Sequence, residues 1–404
     1  MSNDKPNQRR ANGTARSREG TGWGAKVAGL TVSVVLAVAA FEVLPRLAPS
    51  WMPAKIRSVV RLYDARNTWE KMMRPSKEFG FSLQPDLNLE FPSEGRAIKV
   101  RTIPSGVDHV GMRDIGTHPP FDAVAVGDSF TFCDDSPAEE CWVRILSDRT
   151  GLSIATLGVN GYSNLAEARM LRTVGASFAP RLVLVGFFPN DFKDNLHFDN
   201  WTRSDTDDYW TWMRRKRRSD LSEFLARHSI LYRLVDAARR YGKRDTFHYA
   251  ENGLRFTFRA DAWWRTVVEK PGGTPGFRLT TEALRDMKKQ AGAMNAKLLV
   301  LLFPFKEQVY WSIAERFQPP SQHFSRAQVD APFKAVKAFC DAAGIHCCDL
   351  TAPMRKRARA GQQLYLDVGA HWNAQGNKAA AAITEDCLEE NFPGTTKRAV
   401  HASL

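Results

Sequence analysis

Apolar and polar positions follow two rhythms along the chain. From residue 121 onward, short continuous apolar runs ("FDAVAV", "SIATLGV", "RLVLVGFF", "KLLVLLF", "GIHCCDL") alternate with longer segments of helical periodicity. These segments are "AEECWVRILSDRT", "LAEARMLRTVGASF", "TEALRDMKKQAGAMNA", "FKAVKAFCDAA" and a last helix near residues 374–390. Strands without polar alternation, separated by helices, predict an α/β fold with a parallel sheet covered on both faces. In such sheets ligands bind beyond the carboxyl ends of the strands.

Two regions break this rhythm. At the N-terminus a polar, basic stretch (residues 1–26) precedes the charge-free run "VAGLTVSVVLAVAAF" from Val27 to Phe41. With "EVL" to Leu44 this reaches about the minimum length of a membrane span, with Glu42 near an interface, Pro45 as a stop and Trp51 as a headgroup anchor. A single span with basic residues on its leading side places the remainder outside the cytoplasm. "AVA" at 37–39 also permits signal-peptidase cleavage; the continuation "EVLPRL" favours an uncleaved anchor. The second break, residues 196–279, carries 17 Lys or Arg against 11 Asp or Glu and five of the eleven Trp. Within it, "DLSEFLARHSILYRLVDAARR" reads as one amphipathic helix with Asp220 as its cap and Glu223 three residues later.

The expected organisation is therefore a basic cytoplasmic tail (1–26), a transmembrane signal-anchor (27–44) and an extension without readable chemistry (45–119). An α/β domain follows, split between 120–195 and 280–392 by the insertion 196–279, with a tail at 393–404. The insertion is expected to lie beside the ligand-binding edge of the sheet as a lid or substrate subdomain, with Trp201, Trp210, Trp212, Trp263 and Trp264 available to stack on the rings of a ligand; the alternative is that these Trp pack a small core. Arg214, Arg215, Arg217 and Arg218 would attract an anionic polymer.

Composition narrows the classes. A chain of 404 residues with 43% hydrophobic content can bury a large core, which excludes a disordered protein. The formal charge of +13 is compatible with nucleic acid, anionic lipid or acidic polymer, and an exported location sets nucleic acid aside. The six cysteines show no spacing that suggests zinc, so no metal or cofactor is expected. Export makes disulfides plausible, with Cys133–Cys141 bracketing a short loop; for Cys340, Cys347, Cys348 and Cys387, pairing and free buried thiols stand as equal alternatives.

Three strands end in small polar motifs: "GDS" at 127–129, "GVNGYSN" at 158–164 and "FFPND" at 187–191. A serine at a strand-to-helix turn is held open at the sheet edge, and its hydroxyl needs a base. Of nine histidines, His371 stands in a loop before a helix, in "YLDVGAHWNAQGN", with Asp367 close by to fix its tautomer. The Ser129 amide, the Gly161 amide and the Asn190 side chain are the donors available to a developing oxyanion.

In this order, GDS, a Gly after Asn, Pro-Asn-Asp and a late Asp-His loop resemble the SGNH, or GDSL-like, hydrolases. "GDSFTF", "NGYSN", "GFFPNDF" and "HWNAQGN" resemble, more narrowly, the membrane-anchored bacterial members that work on acylated cell-envelope carbohydrate. The resemblance implies a flavodoxin-like three-layer sandwich with a central parallel sheet. It implies Ser129 as nucleophile, Gly161 and Asn190 completing the oxyanion hole, His371 as base, Asp128 shaping the turn and Asp191 holding the Asn190 loop. One position departs from the family pattern. The acid usually lies three residues before the histidine, where Val368 stands, so Asp367 is expected to reach His371 through a bulge at Gly369, or a dyad operates.

Four functions follow as expectations. The first is a serine esterase removing O-acyl, chiefly O-acetyl, groups from an envelope polysaccharide or glycan. The same acyl-enzyme passing its group to a sugar is the second, and a silent polysaccharide-binding or assembly protein working with envelope polysaccharide machinery is the third. A lipid-directed lipase is the fourth, and it ranks low because the tether alone explains membrane proximity. The expected location is the inner membrane, single-pass, with the catalytic domain on the periplasmic side.

Overall fold

A computed structural model describes residues 23–53, 56–57, 59–60, 68–93, 96–217, 219–241, 246–259, 274–318 and 323–396. After an N-terminal helix, Trp23–Leu47, the chain forms five short strands: β1 (Met73–Ser76), β2 (Gly80–Leu83), β3 (Asn88–Ser93), β4 (Arg96–Pro104) and β5 (Gly111–Arg113). They make an antiparallel sheet in the order β1-β2-β5-β4-β3.

The strands that follow are β6 (Ala123–Gly127), β7 (Ile154–Gly158), β8 (Leu182–Phe187), the pair β9 (Thr246–Glu251) and β10 (Leu254–Arg259), then β11 (Lys297–Leu302) and β12 (His346–Asp349). β6, β7, β8, β11 and β12 form one parallel sheet in the order β12-β11-β8-β6-β7. Numbered by occurrence within that sheet, this is the flavodoxin-like order, which reverses direction beside its first strand, β6. β6, β7 and β8 are buried along their whole length, as continuous apolar runs demand when helices cover both faces. Helices 142–150 and 374–391 pack together on one side; helices 164–173, 191–202 and 275–293 pack together on the other.

The extension is not a separate body. Phe81, Phe91, Ile98 and Met112 belong to the same hydrophobic cluster as Val124, Leu157 and Phe187 of the parallel sheet. Tyr162 seals the joint, its ring 5.1 Å from that of Phe81 and its hydroxyl donating to the Phe81 carbonyl.

The insertion differs from its sequence reading in two ways. Residues 220–241 form two helices, Asp220–His228 and Ile230–Tyr241, broken at Ser229, and the first is capped by Ser219 rather than Asp220. The break has a physical cause. The amides of Ile230 and Leu231 donate to the Glu42 carboxylate at 2.8 and 3.0 Å. The freed Ala226 and Arg227 carbonyls accept from the Arg233 guanidinium at 2.8 and 2.7 Å. The tryptophans differ too. Trp201 and Trp212 are buried and pack with Phe198 and Tyr209, and Trp210 lies against Phe81, so these three rings take the small-core alternative and not that of a stacking platform. Trp263, Trp264 and Arg218, like the tail beyond residue 396, lie outside the described residues.

The N-terminal helix runs past Pro45 to Leu47 and is long and apolar enough to cross a membrane, its most apolar 18 residues having a mean hydropathy of 2.3. All six cysteines are paired: Cys133–Cys141, Cys340–Cys347 and Cys348–Cys387.

Candidate active site

β6 ends at Gly127, and the chain turns at once into one helical turn, Ser129–Phe132. Asp128 caps it, Oδ1 accepting from the Phe130 amide at 2.9 Å. The turn sits directly on the sheet edge because the adjoining strand positions carry no side chain. A Cβ at Gly127 or Gly186 would lie 2.1 or 2.4 Å from Thr131 Oγ1, and one at Gly158 would lie 2.4 Å from the Phe132 amide. Ser129 thus stands, part-exposed, at the point where the strand order reverses.

His371 arrives from the loop before helix 374–391. Its Nε2 lies 2.9 Å from Ser129 Oγ and its Nδ1 lies 2.7 Å from Asp135 Oδ2. Asp135 follows the nucleophile's own turn, at φ 63°, in the loop closed by the Cys133–Cys141 disulfide. The acid expected from the sequence, Asp367, is elsewhere: its carboxylate faces Thr257 Oγ1 of the β9–β10 hairpin at 3.4 Å. Lys306 explains why. Its buried ammonium donates to the carbonyls of Gly369 (2.9 Å), Asp367 (3.0 Å), Thr257 (3.1 Å) and Leu366 (3.4 Å). That arrangement fixes the loop with the Asp367 side chain toward the hairpin. Val368, at the family's usual acid position, points outward and is 69% exposed. A bulge at Gly369 does not bring Asp367 to His371, and no dyad is needed.

The extension holds the acid loop, although its sequence carries no recognisable motif. The Arg113 guanidinium at the end of β5 is buried and donates to the carbonyls of Phe132, Cys133 and Ser136. Ser93 at the end of β3 hydrogen-bonds Asp135. From the other side, Asn160, next to Gly161, donates from Nδ2 to the Asp134 carboxylate.

Electrostatics follow from this crowding. Burial opposes the imidazolium, but the hydrogen bond to Asp135 and the charges of Asp134, Asp135 and Asp128 outweigh it, and the His371 pKa is raised to about 9. Burial also works against the Asp135 carboxylate, which His371 and Ser93 nevertheless hold below the ordinary range. Burial pushes Asp134 up to about 7 and Asp128 to about 6, and it lowers Arg113 to about 10.

Gly161, at φ +80°, follows β7, and Asn190 follows β8, so the Ser129 amide, the Gly161 amide and the Asn190 side chain stand at the ends of three adjacent strands. Asn190 Nδ2 donates to Asp194 Oδ2 at 2.9 Å. Asp191 braces that turn by accepting from the Phe188 amide at 3.1 Å and from Asn164 Nδ2 at 2.9 Å. Asn164 also donates to Glu167, at 3.0 Å. Both acids are fully buried, which drives Glu167 up to about 8 and Asp191 well above the carboxylate range. Among the described residues no cluster of His, Cys, Asp and Glu has metal-binding geometry.

A serine hydroxyl donating to an imidazole whose other nitrogen donates to a carboxylate is the arrangement that removes the serine proton during attack on an acyl carbon. The model of the GDSL-like lipase/acylhydrolase family matches residues 125–379, more than half of the chain. The chain belongs to that family. It is a GDSL-like hydrolase, an enzyme of the esterase and acylhydrolase type. Solved structures similar to this GDSL-like hydrolase include a G-D-S-L family lipolytic protein from Desulfitobacterium hafniense, at 10% identity, 66% of this chain, 98% of that chain and TM-score 0.36. A catalytic mutant of Axe2, an acetylxylan esterase from Geobacillus stearothermophilus, matches at 12% identity, 66% and 94% coverage and TM-score 0.34. The esterase EstA from a Pseudoalteromonas species matches at 12% identity, 67% and 97% coverage and TM-score 0.34. No match was found among curated protein sequences.

Proposed function

We propose that this GDSL-like hydrolase is a membrane-anchored serine esterase on the outer side of the inner membrane that removes O-acyl, chiefly O-acetyl, groups from a cell-envelope glycan. The observation that carries the chemistry is the continuous chain from Ser129 through His371 to Asp135. In the neutral imidazole, Nδ1–H donates to Asp135 and Nε2 accepts the Ser129 proton as Oγ attacks the acyl carbonyl. The Ser129 and Gly161 amides and the Asn190 side chain receive the oxyanion. His371 gives the proton to the departing sugar oxygen, which leaves as the hydroxyl with an acyl ester on Ser129; a water deprotonated by the same nitrogen then attacks the acyl carbon, and His371 returns that proton to Ser129 Oγ as the carboxylic acid leaves. Asp135 stays ionised and stabilises the imidazolium.

The location rests on the exposed apolar helix Trp23–Leu47 with basic residues on its leading side, and three disulfides suit an oxidising compartment. A glycan substrate rests on the resemblance of the strand-end motifs to envelope-acting members and on the basic balance of the chain. The full chain, offered a small acetyl ester with and without a saccharide acceptor, tests the reading. Release of acetate irrespective of acceptor is expected; acceptor-dependent acyl-sugar would make it an O-acyltransferase, and silence of a folded protein would make it a binding or assembly protein.

A further inference from the structure

The two helices 220–228 and 230–241 bury Ala226, Ile230 and Ala237, yet each also leaves large apolar side chains exposed. A surface helix normally buries its apolar stripe and exposes its charges. Here Arg233 and Asp236 are buried, and Arg227 is turned to Glu70 at 2.6 Å and Glu223 at 3.5 Å. The large apolar side chains facing outward are Leu221 (68% exposed) and Phe224 (58%) on the first helix, and Leu231 (41%) and Val235 (42%) on the second, with His228, Ala238 and Arg239 also exposed. Their spacings, i to i+3 and i to i+4, make one apolar stripe on each helix.

The helix Trp23–Leu47 shows what covers these stripes. Its charge-free run from Val27 to Phe41 is about 22 Å long at 1.5 Å per residue, short of the roughly 30 Å hydrocarbon core. Glu42 is therefore drawn to the hydrocarbon boundary, where an unpaired carboxylate is costly. Its oxygens accept from Ser229 Oγ (2.7 Å), the Ile230 amide (2.8 Å), the Leu231 amide (3.0 Å) and Arg46 (3.1 Å), and Arg46 also donates to the His228 carbonyl at 2.6 Å. The junction of the two helices is thus tied to the residue that marks the membrane boundary. Leu47 (76%) and Trp51 (80%), exposed at the same end of the span, supply further apolar and headgroup-seeking surface.

We propose that the helical pair 219–241 is a second membrane contact, with Leu221, Phe224, Leu231 and Val235 entering the headgroup–acyl boundary beside the exit of the 23–47 helix. This rests on the reading of that helix as a membrane anchor. A span alone leaves the enzyme free to rotate and tilt on its tether; a second contact joined to it through Glu42 fixes which side of the hydrolase faces the membrane. The insertion is continuous with helix 191–202, which starts immediately after Asn190, so the contact also sets the height of the catalytic edge above the lipid.

The test uses the full chain with single cysteines placed at Val34, Leu221, Val235 and, as a control on a distant exposed helix, Lys356. Each is spin-labelled with the native disulfides kept intact and reconstituted in nanodiscs of phosphatidylcholine and phosphatidylglycerol. Relaxation by oxygen, which concentrates in lipid, is compared with relaxation by a water-soluble nickel chelate. The proposal expects an oxygen-to-nickel ratio several-fold higher at Val34, Leu221 and Val235 than at Lys356. A lipid-like ratio at Val34 with control-like ratios at Leu221 and Val235 overturns the second contact and leaves the anchor standing. A water-like ratio at Val34 overturns the anchor, and the second contact with it.

Discussion

Asp135 Oδ2 lies 2.7 Å from Nδ1 of His371, across a sequence separation of 236 residues, and it sits in the loop that follows the turn of the serine it serves. Nucleophile and acid are therefore built on one short piece of chain, the acid inside the loop that the Cys133–Cys141 disulfide closes, with the base brought to both from the far end of the domain. Asp135→Ala is expected to lower kcat/KM by about a thousandfold or more, as loss of a triad acid does, whereas Asp367→Ala is expected to cost less than about tenfold. Steady-state kinetics on a small acetyl ester distinguishes them, and the reverse ranking would return the acid to Asp367.

The pH profile carries the sign of the His371 shift. The base works only when neutral, and its pKa is raised to about 9, so kcat/KM is expected to climb with pH across the neutral range and level off near that value. Asp135→Asn removes the hydrogen-bonded charge that favours the imidazolium. The rise is then expected at lower pH with a much reduced plateau. An unmoved profile in the variant would separate the titration from this pair.

Arg113 tests whether the extension supports the acid. Arg113→Met leaves the Phe132, Cys133 and Ser136 carbonyls without their donor and Asp134 without its buried counter-charge. A fall in kcat on the order of a hundredfold with KM little changed is expected from a displaced loop, together with a loss of roughly 3 kcal/mol in stability. Denaturant unfolding beside kinetics measures both. Full kcat in a folded variant would make Arg113 irrelevant to the site.

Glu167 predicts a stability change with pH. Its folded pKa, about 8, lies above the ordinary 4.5. The native state therefore holds a proton that the unfolded chain releases, and stability from this group is present below about 4.5 and lost as pH rises toward 8. Glu167→Gln mimics the protonated acid. Its melting temperature is expected to match the parent below about pH 4.5, to exceed it increasingly as pH rises to about 8 and to keep a constant margin above that, and parallel curves would contradict the assignment.

The parallel sheet was legible because β6, β7, β8 and nearly all of β11 are buried on both faces and so announce themselves as apolar runs, while β12, an edge strand with only Cys348 buried, follows from the strand–helix alternation. Ser129, Gly161 and Asn190 were legible because each follows a strand directly, where local sequence dictates position. Asp135 was not. It was masked by a second aspartate beside it and by an expectation attached to residues before His371, and only the Lys306 contacts reveal where that loop sends Asp367. Arg113 and Ser93 were equally hidden: their work depends on one sheet packing beside another, and no spacing in the chain encodes that contact. The break at Ser229 was invisible for the same reason, since the helical pattern runs through it and the cause, Glu42, lies far back in the sequence.

The central claim is that Ser129 is the nucleophile of a Ser129–His371–Asp135 triad. Treatment of the full chain with a fluorophosphonate, followed by peptide mass spectrometry, tests it directly. A single adduct on Ser129, abolished in His371→Ala and strongly slowed in Asp135→Ala but not in Asp367→Ala, is the predicted result; an adduct on another residue, or unreactive Ser129 in the folded parent, would contradict it.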